Sequence, residues 1–251
     1  MPNNSEDIYH ILNGDALREQ FPQDIYGHRI IFREVLMDGP LSASLDEALF
    51  VKREKFLSQY DAPEEDFYRR HVVPELMRLQ QMSKGSKVYL WFEYDLFCQV
   101  NMWAAVTWIR TKLTDVSFYW AAPKPNDWRG FGALSSDDLS EVYTNARLLP
   151  DRELVLMEKA LNLYISQNRD LLTQSLAKEH WIDYLHTALT AQRQRMPDEQ
   201  GNCELYTRVD ALIAKHKTFP DFFKAFCQEE GQYGLGDLQA KPLYEARLRL
   251  M

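Results

Sequence analysis

The sequence predicts an α/β fold: an open, mainly parallel amino-terminal sheet with helical crossovers, followed by a mainly helical carboxyl-terminal region. Two observations predict it. Over about residues 5–125, short apolar runs alternate with amphipathic stretches of helical period, the pattern of strands joined by crossover helices. Beyond residues 122–132, which carry Pro123, Pro125, Gly130 and Gly132, strand-like runs stop and helical periodicity continues. The expected organisation is therefore a sheet domain over residues 5–125 and a helical region over 126–251.

Each element has its own signal. Residues 7–12 (DIYHIL) read as a first strand, ended by the turn-forming Asn13-Gly14-Asp15, with Asp15 placed to cap a short helix over 16–21. Residues 29–36 (RIIFREVL) read as a second strand, broken by Asp38-Gly39-Pro40. Residues 45–60 and 64–82 have helical period, with a bend expected at Pro74. Residues 87–92 (KVYLWF) form a third strand, followed by a helix from Leu96 capped by Asp95. Residues 116–121 form a fourth strand. Helices are expected over 136–147, 150–166, 169–176, 181–195, 205–216 and 219–230. The tail, with Tyr233-Gly234-Leu235-Gly236-Asp237, reads as a helical lid or docking element, the alternative being a small winged-helix-like unit.

Composition removes several function classes. The chain has 251 residues, 45% of them hydrophobic, enough for a sizeable core. A formal net charge of −8 argues against charge-driven nucleic-acid binding, so nucleic acid is not an expected partner. Cys98, Cys203 and Cys227 are too scattered for a disulfide framework or a paired zinc site, which implies a reducing compartment. No apolar run is long enough to span a membrane and the start carries no secretory pattern, so a cytoplasmic protein without membrane contact is expected. There is no Walker loop, no GxGxxG and no GxSxG.

Polar residues concentrate where an open parallel sheet binds ligands, outside the carboxyl ends of its strands. The first strand brings His10, then Asn13, Gly14 and Asp15; the second brings Arg33 and Glu34, then Asp38 and Gly39; the third brings Glu93 and Asp95, with Gln99 and Asn101 on the next helix. Each also has a structural reading as turn, cap or ion pair. Glu93 is the hardest to assign so, because a carboxylate at the mouth of a buried strand is expected to have a raised pKa. Asp15 and Glu34, with Glu93 and Asp95, are the oxygen ligands expected for a hard divalent cation such as magnesium. Glu93, Asp95 and His10 are also the candidate acid–base groups. Asn13, Gly14, Arg33, Gln99 and Asn101 are the candidate ligand-binding residues, Arg33 for an anionic group. Cys98, one turn past Asp95, reads as packing before nucleophile.

Three of these pieces, HILNGDAL (10–17), REVLMDGPL (33–41) and LWFEYDLFCQVNM (90–102), resemble the bacterial family called domain of unknown function 1835. Weaker echoes follow in FGALSSDDLSEVY, LLPDRELVLMEKAL and YGLGDLQ, so the resemblance covers nearly the whole chain. It implies an α/β amino-terminal domain, a helical remainder and one composite site, and it implies no particular reaction. Two readings follow. One is a metal-dependent hydrolase or transferase acting on a small polar or phosphorylated ligand; the other is a ligand-sensing or protein-interaction module without catalysis.

Overall fold

The computed structural model describes residues 7–60, 66–125, 127 and 129–250. Its centre is a five-stranded sheet of order β2-β1-β3-β4-β5. The strands are β1 (Ile8–Leu12), β2 (His28–Ile31), β3 (Ser86–Trp91), β4 (Val116–Trp120) and β5 (Arg147–Leu148). The first four run parallel, and the short β5 pairs antiparallel with β4 through Tyr119 with Leu148 and Trp120 with Arg147. The strand at β5 departs from the expectation that strands end with the sheet domain. Two residues carry too little periodicity to be read, and they pair only because the chain folds back beside β4.

Helices α1 (Asp15–Gln20), α2 (Glu47–Leu57), α3 (Val73–Arg78) and α4 (Leu96–Arg110) connect or cover the strands. Strand alternation divides the packing between the two faces. Ile11, Ile30, Phe32, Leu90 and Phe92 point to the face covered by α2, α3 and α4. Leu12, Ile31 and Trp91 point to the other, where Leu17 of α1, Phe131 and Leu139 of α5 (Ser136–Thr144) complete a smaller cluster. Helix α4 is buried along almost its whole length, which accounts for a sequence apolar nearly all round.

The expected helix over 64–82 divides. Residues 61–65 lie outside the described ones, Tyr68–Val72 form a π-helical turn, and α3 follows with Pro74 in its first turn, where a proline costs no helical hydrogen bond. The remaining helices are α6 (Asp151–Ser166), α7 (Arg169–Lys178), α8 (Asp183–Arg195), α9 (Glu204–Lys215), α10 (Phe219–Glu229) and α11 (Asp237–Leu248). No strand occurs among the described residues after α10, so the tail lacks the wing of a winged helix; a 3-10 turn, Gly231–Tyr233, leads into α11 instead. The larger core cluster runs unbroken from Ile11 to Tyr244, so sheet and helices share one interior. No helix among the described residues is long and apolar enough to cross a membrane.

Past Ile31 the second strand stops earlier than its apolar pattern suggests. Phe32 still donates its N–H to the Leu12 carbonyl at 2.8 Å, and the chain then leaves the sheet. Buried polar groups direct it. Glu34 and Arg53 are both fully buried and paired at 2.6 Å, and the Tyr68 hydroxyl donates to the second Glu34 oxygen at 2.7 Å. Arg53 also donates to the carbonyls of Val35, Asp38 and Pro40, which shapes the whole loop. Removing one partner of such a pair strands the other charge in the core. Arg53→Met is expected to cost about 3–5 kcal/mol in urea unfolding, whereas a loss below about 1 kcal/mol would show that the pair does not organise this loop.

A carboxylate and thiol cluster at the switch point

Between β1 and β3 the strand order reverses, because the crossover from β1 runs outward to β2 and the chain returns on the other side as β3. That reversal opens a crevice at the carboxyl ends of the two strands. Asn13 enters it from β1, and Glu93, Asp95 and Cys98 enter it from the β3–α4 corner.

Asp95 sets the corner. It is the N-cap of α4 and accepts from the Cys98 backbone N–H at 2.9 Å, which fixes where the helix starts. Gln99 then donates to the Glu93 carbonyl at 2.7 Å and accepts from Trp103 Nε1 at 3.2 Å. Asn101 donates to Asn13 Oδ1 at 3.0 Å and to the Glu34 carbonyl at 2.8 Å, and accepts from the Leu36 N–H at 3.2 Å. Gln99 and Asn101, expected as ligand contacts, are fully buried and hold the loops after β1, β2 and β3 together. Asn13 completes the chain by donating from Nδ2 to Cys98 Sγ at 3.0 Å.

Glu93, Asp95 and Cys98 present ligand atoms that all lie within 4.8 Å of one another. Burial and the neighbouring Asp95 carboxylate push the Glu93 carboxyl from its ordinary 4.5 to about 7, against the opposing pull of the Phe131 N–H, which donates to Glu93 Oε1 at 2.7 Å. Burial also raises Asp95, partly offset by the N–H groups of the α4 first turn. Burial and the two carboxylates push the Cys98 thiol well above its usual range, so it is protonated and a poor nucleophile.

Two glycines cover the cluster. Gly130 and Gly234 both adopt positive φ, 51° and 66°, and a Cβ on either would overlap the carboxylate of Glu93 or Asp95 respectively. Neither was singled out as a site residue from the sequence, though both lie in segments rich in glycine, where close backbone approach is a standard reason for that residue.

Other expected site residues lie elsewhere. His10 is fully buried in the sheet face opposite α4, among Phe21, Tyr89, Trp91 and Tyr143. Its Nε2 bonds the Tyr26 carbonyl at 3.0 Å and its Nδ1 accepts from Trp91 Nε1 at 3.1 Å, so both nitrogens are used and the ring is neutral. Burial lowers its pKa to about 4, which removes it as an acid–base group near neutrality. Glu34 is consumed by Arg53 and Tyr68, so it is not free to bind a cation. Asp15 is the first residue of α1 rather than its cap, and forms a two-pronged pair with Arg33 at 2.6 and 2.9 Å. The Arg33 guanidinium holds the Asp15 carboxyl below its usual range, and Arg33 also donates to the His71 carbonyl at 2.9 Å. Gly14 turns the chain between β1 and α1 at φ 93°, with open space where a Cβ would stand. The four-carboxylate site for magnesium is therefore not assembled.

Fold and site define a doubly wound α/β protein with a carboxylate and thiol cluster at its switch point. Comparison with protein-family models, with curated proteins and with solved structures returned no match.

The Glu93 proton gives the cluster a pH signature. A carboxyl whose folded-state pKa is raised contributes stability below its unfolded value, and that contribution is lost as pH rises from about 4.5 to about 7. Glu93→Gln mimics the protonated form at every pH. The variant is expected to gain on the natural protein between pH 5 and pH 8, by on the order of 2 kcal/mol in denaturant unfolding. A constant difference across that range would show that Glu93 ionises normally.

Proposed function

We propose that the switch-point cluster binds a divalent cation and a small polar substrate, and that the protein is a metal-dependent hydrolase or transferase. The observation that carries this reading is the mutual one: Glu93, Asp95 and Cys98 sit within 4.8 Å, and burial raises the pKa of each. A cation reverses that balance by stabilising all three deprotonated forms at once.

The donor set fits a borderline ion better than a hard one. Two carboxylates and a thiolate suit zinc, whereas the all-oxygen site expected for magnesium needs ligands that Glu34 and Asp15 do not supply. Bound there, the ion supplies Lewis acidity. Asn13, donating to Cys98 Sγ, favours the thiolate as a ligand. Asp95 is held by its cap bond and Glu93 by the Phe131 N–H, so neither carboxylate has to be ordered on binding. Arg33 is engaged by Asp15, which supports a polar substrate more than a phosphorylated one.

The resemblance to domain of unknown function 1835 stands as part of this proposal. Its three strongest segments supply Asn13, the loop held by Asn101, and the β3–α4 corner, and two weaker ones supply Phe131 and Gly234. A ligand-sensing reading without catalysis has one observation of its own: Asp38, past the end of β2, is gripped by Arg195 of α8 and Gln239 of α11, so the sheet edge is tied to the helical half.

Titration of the metal-free protein with cobalt(II) tests the proposal. The expected result is a thiolate-to-cobalt absorption band that saturates at one equivalent, is competed by zinc but not by magnesium, and is absent in Cys98→Ser. Glu93→Gln is expected to weaken binding by about tenfold or more. Saturable zinc binding that survives both substitutions would place the metal elsewhere and overturn the assignment.

A further inference from the structure

The outer side of β2 is the longer edge of the sheet, four residues against the two of β5. Along an extended strand the backbone groups alternate in direction. Phe32 donates its N–H inward to the Leu12 carbonyl, so Ile30 also faces β1, while Arg29 and Ile31 turn their N–H and C=O groups outward. An edge strand that leaves such groups free is a template for another strand.

The segment 68–78 lies along this edge and takes up those groups. It runs opposite to β2 and touches it at successive places. Beyond the end of the strand, the Tyr68 hydroxyl donates to Glu34 and the His71 carbonyl accepts from Arg33. Beside the strand itself, Glu75 Oε2 accepts the Ile31 N–H at 3.0 Å and Arg78 Nη1 donates to the Arg29 carbonyl at 2.8 Å. Arg78 also donates to Glu75 Oε2 at 2.8 Å, so acceptor and donor belong to one ion pair on one face of α3. Leu76 and Leu79 are buried in the core and fix that face over the edge.

These are the bonds of a missing strand. In a parallel ladder the residue opposite Ile30 accepts from the Ile31 N–H and donates to the Arg29 carbonyl. Glu75 and Arg78 make the same pair of bonds with side chains. Water satisfies an open edge as well, and the two side chains are 23% and 37% exposed, so stability alone gives little reason for the arrangement.

We propose that the Glu75–Arg78 pair is an edge guard: it stands where a further strand would lie and keeps β2 from pairing with β2 of a second copy of this chain. The outward groups select that occupant. About a two-fold axis at Ile30, antiparallel pairing sets Arg29 against Ile31 of the second copy and Ile31 against its Arg29. Each of these pairs exchanges N–H and C=O bonds, and the association closes as a dimer. The inference uses no residue of the Glu93 cluster and does not depend on that assignment.

Sedimentation equilibrium of the full chain carrying Glu75→Ala and Arg78→Ala tests the proposal. Between ~20 μM and ~1 mM the double variant is expected to reach twice the mass that the natural protein shows at the same concentration. Hydrogen exchange at the Ile31 amide is expected to be about tenfold or more faster in the dilute double variant than in the natural protein, and to slow again where the variant associates. Adding Arg29→Pro removes an outward N–H that the ladder with β1 does not use, and is expected to return the variant to the natural mass. If the alanine variant does not fold, exchanging the two residues (Glu75→Arg with Arg78→Glu) repeats the test, because the ion pair is kept while its donor and acceptor face the wrong backbone groups. A folded variant that keeps the natural mass, unchanged exchange at Ile31, or association that survives Arg29→Pro would each overturn the proposal.

Discussion

Asn101 is a fully buried amide on the second turn of α4, and the upper edge of the sheet depends on it. Its three hydrogen bonds reach the side chain of Asn13 after β1 and the backbone of Glu34 and Leu36 after β2, while its own helix starts from β3. Three strand ends are thereby fixed to one side chain. A buried amide repays its desolvation only when its donors and acceptors are matched, and here the matching specifies one arrangement of loops.

The consequences spread outward from that knot. With the Asn13 amide oxygen held by Asn101, its Nδ2 donates to Cys98, and with α4 capped by Asp95, Glu93 is drawn into the corner beside both. Gly130 and Gly234 bring backbone against the carboxylates where a side chain would overlap them. The cluster is thus closed in from above by segments far apart in the chain. Enclosure is what raises the carboxyl and thiol pKa values, and it is also what makes the site receptive to positive charge. Beside it, the buried Glu34–Arg53–Tyr68 group pulls the β2 loop away from the sheet and delivers Asp38 to the helical half. One loop therefore links the switch point to α8 and α11.

Much of this was legible in the sequence, and the limits have physical causes. Four strands and their helices follow from alternating apolar runs, and Asp95 as a cap follows from its place before a long apolar helix. Glu93 was readable because a carboxylate closing a run such as Leu90-Trp91-Phe92 has few ways to be solvated. Periodicity reports which face a residue takes but not what it meets there. His10 therefore looked available, although its face is an aromatic layer that uses both ring nitrogens. Glu34 looked like a ligand because its partner Arg53 lies 19 residues away on an amphipathic helix, where an arginine ordinarily faces water. The strand at Arg147–Leu148 and the covering glycines are products of tertiary contact, with no local pattern to announce them.

The central claim is that Glu93 and Asp95 share a proton-retaining, enclosed environment at the switch point. Carbon-13 NMR of the side-chain carboxyl groups, followed from pH 3 to pH 9 in the metal-free protein and assigned with Glu93→Gln and Asp95→Asn, reads it directly. The account predicts that the pair titrates in linked steps, with Glu93 still protonated until about pH 7 and Asp95 above the ordinary range. Two independent titrations, both complete below pH 5, would show solvated carboxylates and contradict the enclosed site.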